Sequence, residues 1–283
     1  MTATPIRGKP IADRIRAQVA EDVRRLGHVG LVTVLVGDDP ASEIYIGLKQ
    51  KAALAAGIAS SDLRLPADVS QEALLAQVAE LNADDRVDAL LVQLPLPDHL
   101  DEARVIAAID PRKDVDGLHP VNAGQLLLGR PTLVGATPVG ILAMLDEHAI
   151  PLDGARAVVI GRSDIVGKPV AQLLVQRNAT VTVCHSHTRD LDRHTLDADV
   201  LVVAIGVPGF VTPELVKARA TVIDVGINRT DDGIVGDVDP AVADLAAYMT
   251  PVPGGVGPMT IACLLENAVR CARFRRNELA FPV

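Results

Sequence analysis

Tryptophan is absent from the 283 residues, and there are only two tyrosines and three phenylalanines. An aromatic ring beside polar chemistry is therefore informative here, and Tyr45 stands four residues before Lys49. Cysteine is almost as scarce. Cys184, Cys263 and Cys271 have neither paired nor metal-type spacing, which excludes a disulfide framework and fits a reducing, cytoplasmic setting. The net charge of −9 argues against a general nucleic-acid binder and against attraction to anionic membranes. No run reaches the roughly eighteen apolar residues that span a bilayer. No basic segment followed by an apolar core marks a secretory leader at the N-terminus. What is present is ample hydrophobic material, 49% of the chain. That suffices for one large domain or two ordinary ones.

Taken in order, the chain alternates between two periodicities. Pro10–Leu26 carries Ile11, Ile15, Val19 and Val23 at helical spacing. Leu31–Val36 reads as a buried strand, followed by a turn in which Asp39 can cap a helix and Pro40 can open it. That helix is expected to stop at Gly57. A short strand near Asp62–Leu65, a helix from Ser70 to Asn82, a strand at Ala89–Leu94 and a helix at Asp101–Ile109 complete a first α/β unit with a parallel sheet. Leu118–Thr137, rich in Gly and Pro, reads as an interdomain segment, and Pro138–His148 as a linking helix. The strands of a second unit are Ala157–Ile160, Thr180–Cys184, Val200–Ile205, Thr221–Val225 and a short one near Tyr248. A last helix from Met259 to Arg273 caps its own domain or crosses back to the first.

Ala157–Thr188 organises the second unit. A β-branched run, a turn bounded by Gly161 and Gly167, an amphipathic helix and a second β-branched run form a βαβ unit. The first turn of such a unit holds phosphate-bearing cofactors against free N–H groups at a helix start. The turn is not G-x-G-x-x-G, so the generic fingerprint alone is weak. An NAD site usually has an acid at the end of the second strand to bind the ribose 2′-hydroxyl. Here that strand ends in Cys184, His185, Ser186, His187 and Thr188, with no acid before Asp190. A guanidinium at Arg162 and a hydroxyl at Ser186 suit a 2′-phosphate, which points to NADP. The alternative is that Arg162 is a solvated surface charge and Ser186 an ordinary turn residue. His185 and His187 alternate as on one strand face, but no third ligand or carboxylate accompanies them, so no metal site is expected.

Tyr45 and Lys49 share a helix face. Gln93 lies at a strand end and Asp116 in a later loop, positions that line the ligand crevice of an open α/β sheet. A desolvated lysine there acts as acid or base. Gln93 orients it without adding charge. Asp116 offers a carboxylate to an amino-nitrogen heterocycle, and Tyr45 offers a ring for stacking. Taken singly, each has a plain surface reading. Asp114 and Asp116 as cation ligands lack further acids at suitable spacing.

Seven segments in order carry a resemblance: Val36–Ser42 with Tyr45 and Lys49; Leu91–Pro97; Lys113–Gly117 with His119 and Pro120; Gly161–Ser163 through Val166–Pro169; Val183–Ser186 with Thr188; Val222–Gly226; and Pro251–Thr260. On them the sequence resembles the bifunctional methylenetetrahydrofolate dehydrogenase/methenyltetrahydrofolate cyclohydrolases of one-carbon metabolism. The resemblance implies two α/β domains with a cleft between them, the second a Rossmann-type NADP-binding domain with a mostly parallel sheet. It sets the domains at 1–137 plus 259–283, for folate and catalysis, and 138–258, for NADP. It also implies a last helix that returns to the first domain and a homodimer formed through the cofactor domains, with no nucleic-acid or membrane partner. Lys49 corresponds to the catalytic lysine, Gln93 to the partner that tunes it, and Asp116 to the pterin-binding acid. Tyr45 stacks on the folate, and Pro253, Gly254 and Gly255 border it. Cofactor contacts fall on Thr137, Gly161, Arg162, Ser163, Val166, Gly167, Ser186, Gly206 and Ile227. Two departures are visible. Gly135-Ala136-Thr137-Pro138 stands where the family commonly has Pro-Cys-Thr-Pro, and Asp164 follows Ser163 where a neutral polar residue is usual; an acid there would modestly weaken NADP binding. The competing functions are an NADP-dependent dehydrogenase of another small substrate, such as a shikimate-type hydroxy acid, and a non-catalytic NADP-binding regulatory module.

Overall fold

The computed structural model describes residues 2–37, 40–231 and 233–282, with the backbone alone for 40–45. Asp39, the expected helix cap, lies outside the described residues. In chain order the elements begin β1 (Thr4–Pro5), α1 (Gly8–Leu26), β2 (Gly30–Val36), α2 (Pro40–Ala55), β3 (Ala59–Leu65), α3 (Gln71–Ala83), β4 (Ala89–Val92), α4 (Glu102–Ala108) and α5 (Pro120–Leu127). They continue α6 (Ala136–Glu147), β5 (Arg156–Ile160), α7 (Gly167–Gln176), β6 (Thr180–Cys184), α8 (Asp192–Thr195), β7 (Val200–Val203), β8 (Thr221–Asp224), β9 (Asn228–Thr230), β10 (Gly233–Val235), β11 (Tyr248–Met249) and α9 (Val256–Arg275). No described helix is long and apolar enough to cross a membrane. Two compact α/β units result, one of residues 14–135 and 264–283, the other of 1–13 and 136–263.

The first unit holds a three-stranded parallel sheet in the order β3-β2-β4. β2 is buried at all positions, as its unbroken apolar run requires of a central parallel strand. Edge strand β3 begins at Ala59, earlier than expected, because Ser60, Ser61 and Asp62 pair with β2 without contributing any apolar signal. Val32, Val34, Leu74, Val78, Leu90 and Val105 share one core cluster beneath the helices. Ser70 caps α3 by accepting from Ala73 N at 3.2 Å. The other end of α3 meets the fully buried ammonium of Lys113, which donates to Leu81 O (2.9 Å), Asn82 O (2.7 Å) and Asp84 O (2.9 Å). Its three protons thus satisfy carbonyls at a helix C-terminus, where a cation is favoured. The later part of α9 belongs to this unit: Asn267 Nδ2 donates to Val115 O and Val134 O, and Arg275 Nη1 donates at 2.9 Å to the buried Asp88.

Leu118–Thr137, expected as an interdomain segment, contains α5, and up to residue 135 it belongs to the first unit. His119 Nδ1 caps it by accepting from Val121 N, and Pro120 opens it. A helix of 8 residues that buries a polar Asn122 leaves little apolar period to detect.

The second unit holds a six-stranded parallel sheet in the order β1-β11-β8-β7-β5-β6. From β5 the chain passes to β6 on one side and then to β7 on the other, so the switch point of this Rossmann-type sheet lies between β5 and β7. The registers Ile160↔Cys184, Ile160↔Val203 and Val203↔Asp224 align the C-terminal strand ends. Residues 1–13 and 259–263, which the sequence reading set in the first domain, group with the second unit: β1 pairs with β11, Ile6 N donates to Met249 O, and Ala3 N donates to Ala243 O. A two-residue edge strand carries too little pattern to announce its partner.

Candidate functional site

In the first unit, Lys49 projects from α2 and its ammonium donates to Gln93 Oε1 at 3.2 Å. Gln93 Nε2 donates at 2.8 Å to Leu94 O, which fixes the amide with its oxygen toward the lysine. Both side chains are half-buried. Asp116 is brought to the same place by sheet register. Leu90 N donates to Lys113 O, and Leu90 bridges in parallel to Asp114. Two residues on, Asp116 is close enough to Lys49 to feel its charge. Burial pushes the Asp116 carboxyl up, the Lys49 ammonium pulls it down, and the Asp114 charge pushes it up again. The side chain of Tyr45 lies outside the described residues. The structure thus brings together three of the four expected residues, Lys49, Gln93 and Asp116.

Asp114 has a different job. It is buried and accepts from His119 N and Asn122 Nδ2, each at 2.8 Å. Asn122 also donates to Pro111 O and accepts from Thr132 Oγ1 at 2.7 Å. These bonds hold the loop that presents Asp116. Gly117 turns the loop at φ +66°, where a Cβ would press on the Val134 backbone. Asp114 is thus a buried anchor of this loop, with Oδ2 shared by two amide donors.

In the second unit the glycine turn sits at the switch point. Gly161 has φ +119°, and a Cβ on it would collide with Ala204 O; a Cβ on Gly167 would collide with Gly161 O. Such a cradle lets backbone approach a phosphate closely, and α7 begins there. Ser163 Oγ accepts from Val166 N (3.1 Å) and Gly167 N (3.3 Å), closing the turn. Arg162 and Ser186 are exposed, each two residues beyond Ile160 and Cys184, which face each other in neighbouring strands. No acid intervenes, so the residues present fit a phosphorylated dinucleotide. His185 and His187 do not share a strand face. They lie in the turn after β6, where His187 N donates to His185 Nδ1 at 3.2 Å. Gly206 and Ile227 are exposed on the loops after β7 and β8. Thr137 is on α6 and hydrogen-bonds Thr260 at 2.9 Å. In the loop after β11, Gly255 N donates to Pro251 O at 2.7 Å, Gly254 has φ +104°, and Pro253 is exposed.

A catalytic-domain model of tetrahydrofolate dehydrogenase/cyclohydrolase matches residues 6–116, and the NAD(P)-binding-domain model of the same enzymes matches 135–276. The bifunctional protein FolD of Halothermothrix orenii is 53% identical over 95% of this chain and 98% of its own. The chain belongs to the tetrahydrofolate dehydrogenase/cyclohydrolase family. The crystal structure of the bifunctional FolD enzyme from Campylobacter jejuni superimposes with a TM-score of 0.94, at 44% identity, covering 98% of this chain and 100% of that one. The Trypanosoma brucei methylenetetrahydrofolate dehydrogenase-cyclohydrolase, solved with NADP cofactor and inhibitor, gives 0.92 at 41% identity over 99% and 100% of the chains.

The structure gives physical form to both departures of this tetrahydrofolate dehydrogenase/cyclohydrolase. Ala136 is buried at the start of α6, so a small side chain is accommodated there. Asp164 forms an exposed ion pair with Lys168 one turn on, which offsets its charge near the glycine turn. The sequence reading gave no role to Asp224, although it lies in the Val222–Gly226 segment, and none to Asp237; both are buried acids behind the cofactor-side loops. Their signal was an aspartate at a strand end followed within two residues by glycine, and a second aspartate directly after Gly236.

Proposed function

We propose that this chain oxidises 5,10-methylenetetrahydrofolate to 5,10-methenyltetrahydrofolate with NADP⁺ and hydrolyses the product to 10-formyltetrahydrofolate. The observation that carries this reading is the Lys49–Gln93 hydrogen bond beside Asp116. It joins a proton-carrying amine, a neutral orienting amide and an acid suited to a pterin ring.

Bound at the glycine turn, NADP⁺ supplies a hydride acceptor. Oxidation needs no general base, and the protein's part is positioning, which is worth roughly 7–11 kcal/mol for a well-aligned pair. Asp116 receives pterin N–H groups, Tyr45 stacks on the ring, and Pro253, Gly254 and Gly255 are further substrate contacts. Hydrolysis does move protons. Water adds to the methenyl carbon and loses one proton to give the neutral carbinol. Its hydroxyl then loses the second as the C=O forms and the carbon–N5 bond breaks, N5 takes a proton, and one proton is released overall. Lys49 handles these transfers, with Gln93 holding its amine in place.

Thr137, Gly161, Ser163, Val166, Gly167, Gly206 and Ile227 are assigned to the dinucleotide, and Arg162 and Ser186 to its 2′-phosphate. The absence of an acid at the end of β6 favours NADP over NAD. Exposed Val207, Phe210, Ile234 and Val235 support a homodimer formed through the unit of residues 136–263. The enzyme is assigned to the cytoplasm on its cysteine usage.

The test is a spectrophotometric assay with methylenetetrahydrofolate and either NADP⁺ or NAD⁺. Methenyl absorbance is expected to rise and then decay with NADP⁺, and to rise far more slowly with NAD⁺. Failure to form NADPH overturns the reading in favour of a non-catalytic NADP-binding module.

A further inference from the structure

We propose that Asp237 is a positioning residue for the dinucleotide, acting through the loops after β7 and β8. The proposal rests on the functional reading above, which assigns Gly206 and Ile227 to the cofactor. Asp237 is fully buried just past β10. Its Oδ2 accepts from Ile205 N at 2.8 Å and Gly206 N at 2.9 Å, and its Oδ1 from Asn228 Nδ2 at 2.8 Å.

A peptide plane with its N–H on Asp237 turns the preceding carbonyl the opposite way. The carbonyl before Ile205 is Ala204 O, the atom against which Gly161 is packed too closely for any Cβ. Asp237 thereby sets one peptide whose far edge rests on the glycine turn. It also leaves Gly206 facing outward at φ +69°.

A second buried acid completes the arrangement. Asp224 Oδ1 accepts from Gly226 N and Asp237 N, each at 2.9 Å, and its Oδ2 from Val238 N at 3.1 Å. Its N–H donates at 2.7 Å to Thr250 Oγ1, which leads into the Pro251–Gly255 loop. Gly226 and Gly236 are glycines because a Cβ on the first would collide with Asp237 and on the second with Asp224. The donors come from the segments after β7, β8 and β10, and none of the residues so held has a direct role in proton transfer.

The bifunctional reaction supplies its own control, because hydrolysis of methenyltetrahydrofolate consumes no dinucleotide. Asp237→Ala is expected to raise the dissociation constant for NADPH, measured by direct titration, about tenfold or more. The KM for NADP⁺ should rise in parallel, while cyclohydrolase turnover without NADP stays within about twofold. Asp237→Asn should recover most of the binding, since its carbonyl accepts from Ile205 and Gly206 and the Asn228 amide can flip to meet its NH₂. Should Asp237→Ala not fold, Asp237→Glu keeps the charge but displaces the acceptor by a methylene, and is expected to weaken NADPH binding. Equal NADPH binding by wild type and variants overturns the positioning role alone. Equal loss of cyclohydrolase and NADPH binding in folded Asp237→Ala overturns it as well, in favour of a purely structural acid. A wild-type chain that binds no NADPH overturns the functional reading beneath it.

Discussion

Asp116 and Asp237 are both acids beside the C-terminal ends of parallel strands, in different α/β units, and their surroundings are opposite. Asp237 is fully buried, and its two oxygens are filled by three amide donors of the protein. Asp116 is half-buried, and among the described residues no hydrogen-bond donor is recorded at its carboxylate; its main counterweight is the charge of Lys49. Burying an unpaired acid is costly, so a carboxylate filled by amides holds structure and one left open is free for a ligand. Asp114 sharpens the contrast, because it is two residues from Asp116, is fully buried, and accepts from both His119 N and Asn122 Nδ2.

The largest expected effect tests the open side. Lys49→Ala should reduce cyclohydrolase turnover by about 10²–10⁴-fold, the range for a positioned acid–base group. Folate binding should persist, and decay of methenyl absorbance gives the rate. Hydrolysis at the wild-type rate would remove Lys49 from the mechanism.

Next comes Asp116→Asn. Replacing a charged acceptor with an amide should weaken folate binding by about ten- to a hundredfold and leave NADPH binding unchanged. If NADPH binding falls instead, Asp116 does not belong to the substrate site. The direction of its carboxyl shift adds that folate binding should weaken as the solution is acidified and Asp116 takes a proton.

The remaining effect concerns the saturated side and appears in stability rather than in activity or binding. Burial pushes the Asp224 carboxyl up to about 6, its three backbone donors pull it down, and Asp237 adds to the rise. The folded state therefore holds this proton more tightly than the unfolded chain, whose ordinary value is 3.8. This contribution is fully present below pH 3.8 and is lost as pH rises through about 6, by about 3 kcal/mol. Unfolding midpoints measured across that window should show the slope in wild type and a flatter one in Asp224→Asn. An unchanged slope in the variant would assign the titration elsewhere.

Much of the open site was legible because its parts sit on strongly patterned elements. Tyr45 and Lys49 share a helix period, and Gln93 directly follows a four-residue strand that is buried throughout. The glycine turn was legible for the same reason, since it lies between two β-branched runs. The saturated acids were not. Asp237 meets Gly206 across 31 residues and Asp224 across 13, separations that no helix or strand period connects. β1 was missed because two residues carry no period, and the first half of β3 because an edge strand can be polar on its way into the sheet.

The sequence by itself determined that two α/β units form and that a glycine turn lies at Gly161–Gly167 between strand and helix, and it singled out Lys49, Gln93 and Asp116 as the groups proposed for the chemistry. Periodic burial and turn residues are local properties, written in neighbouring positions. The tertiary structure alone decided that Asp114 is sealed while Asp116 is open, that Lys113 closes a helix it does not belong to, and that Asp224 and Asp237 hold the cofactor-side loops. Each of those outcomes depends on which amide and carbonyl groups distant segments bring to a buried charge, and the chain settles that only by folding.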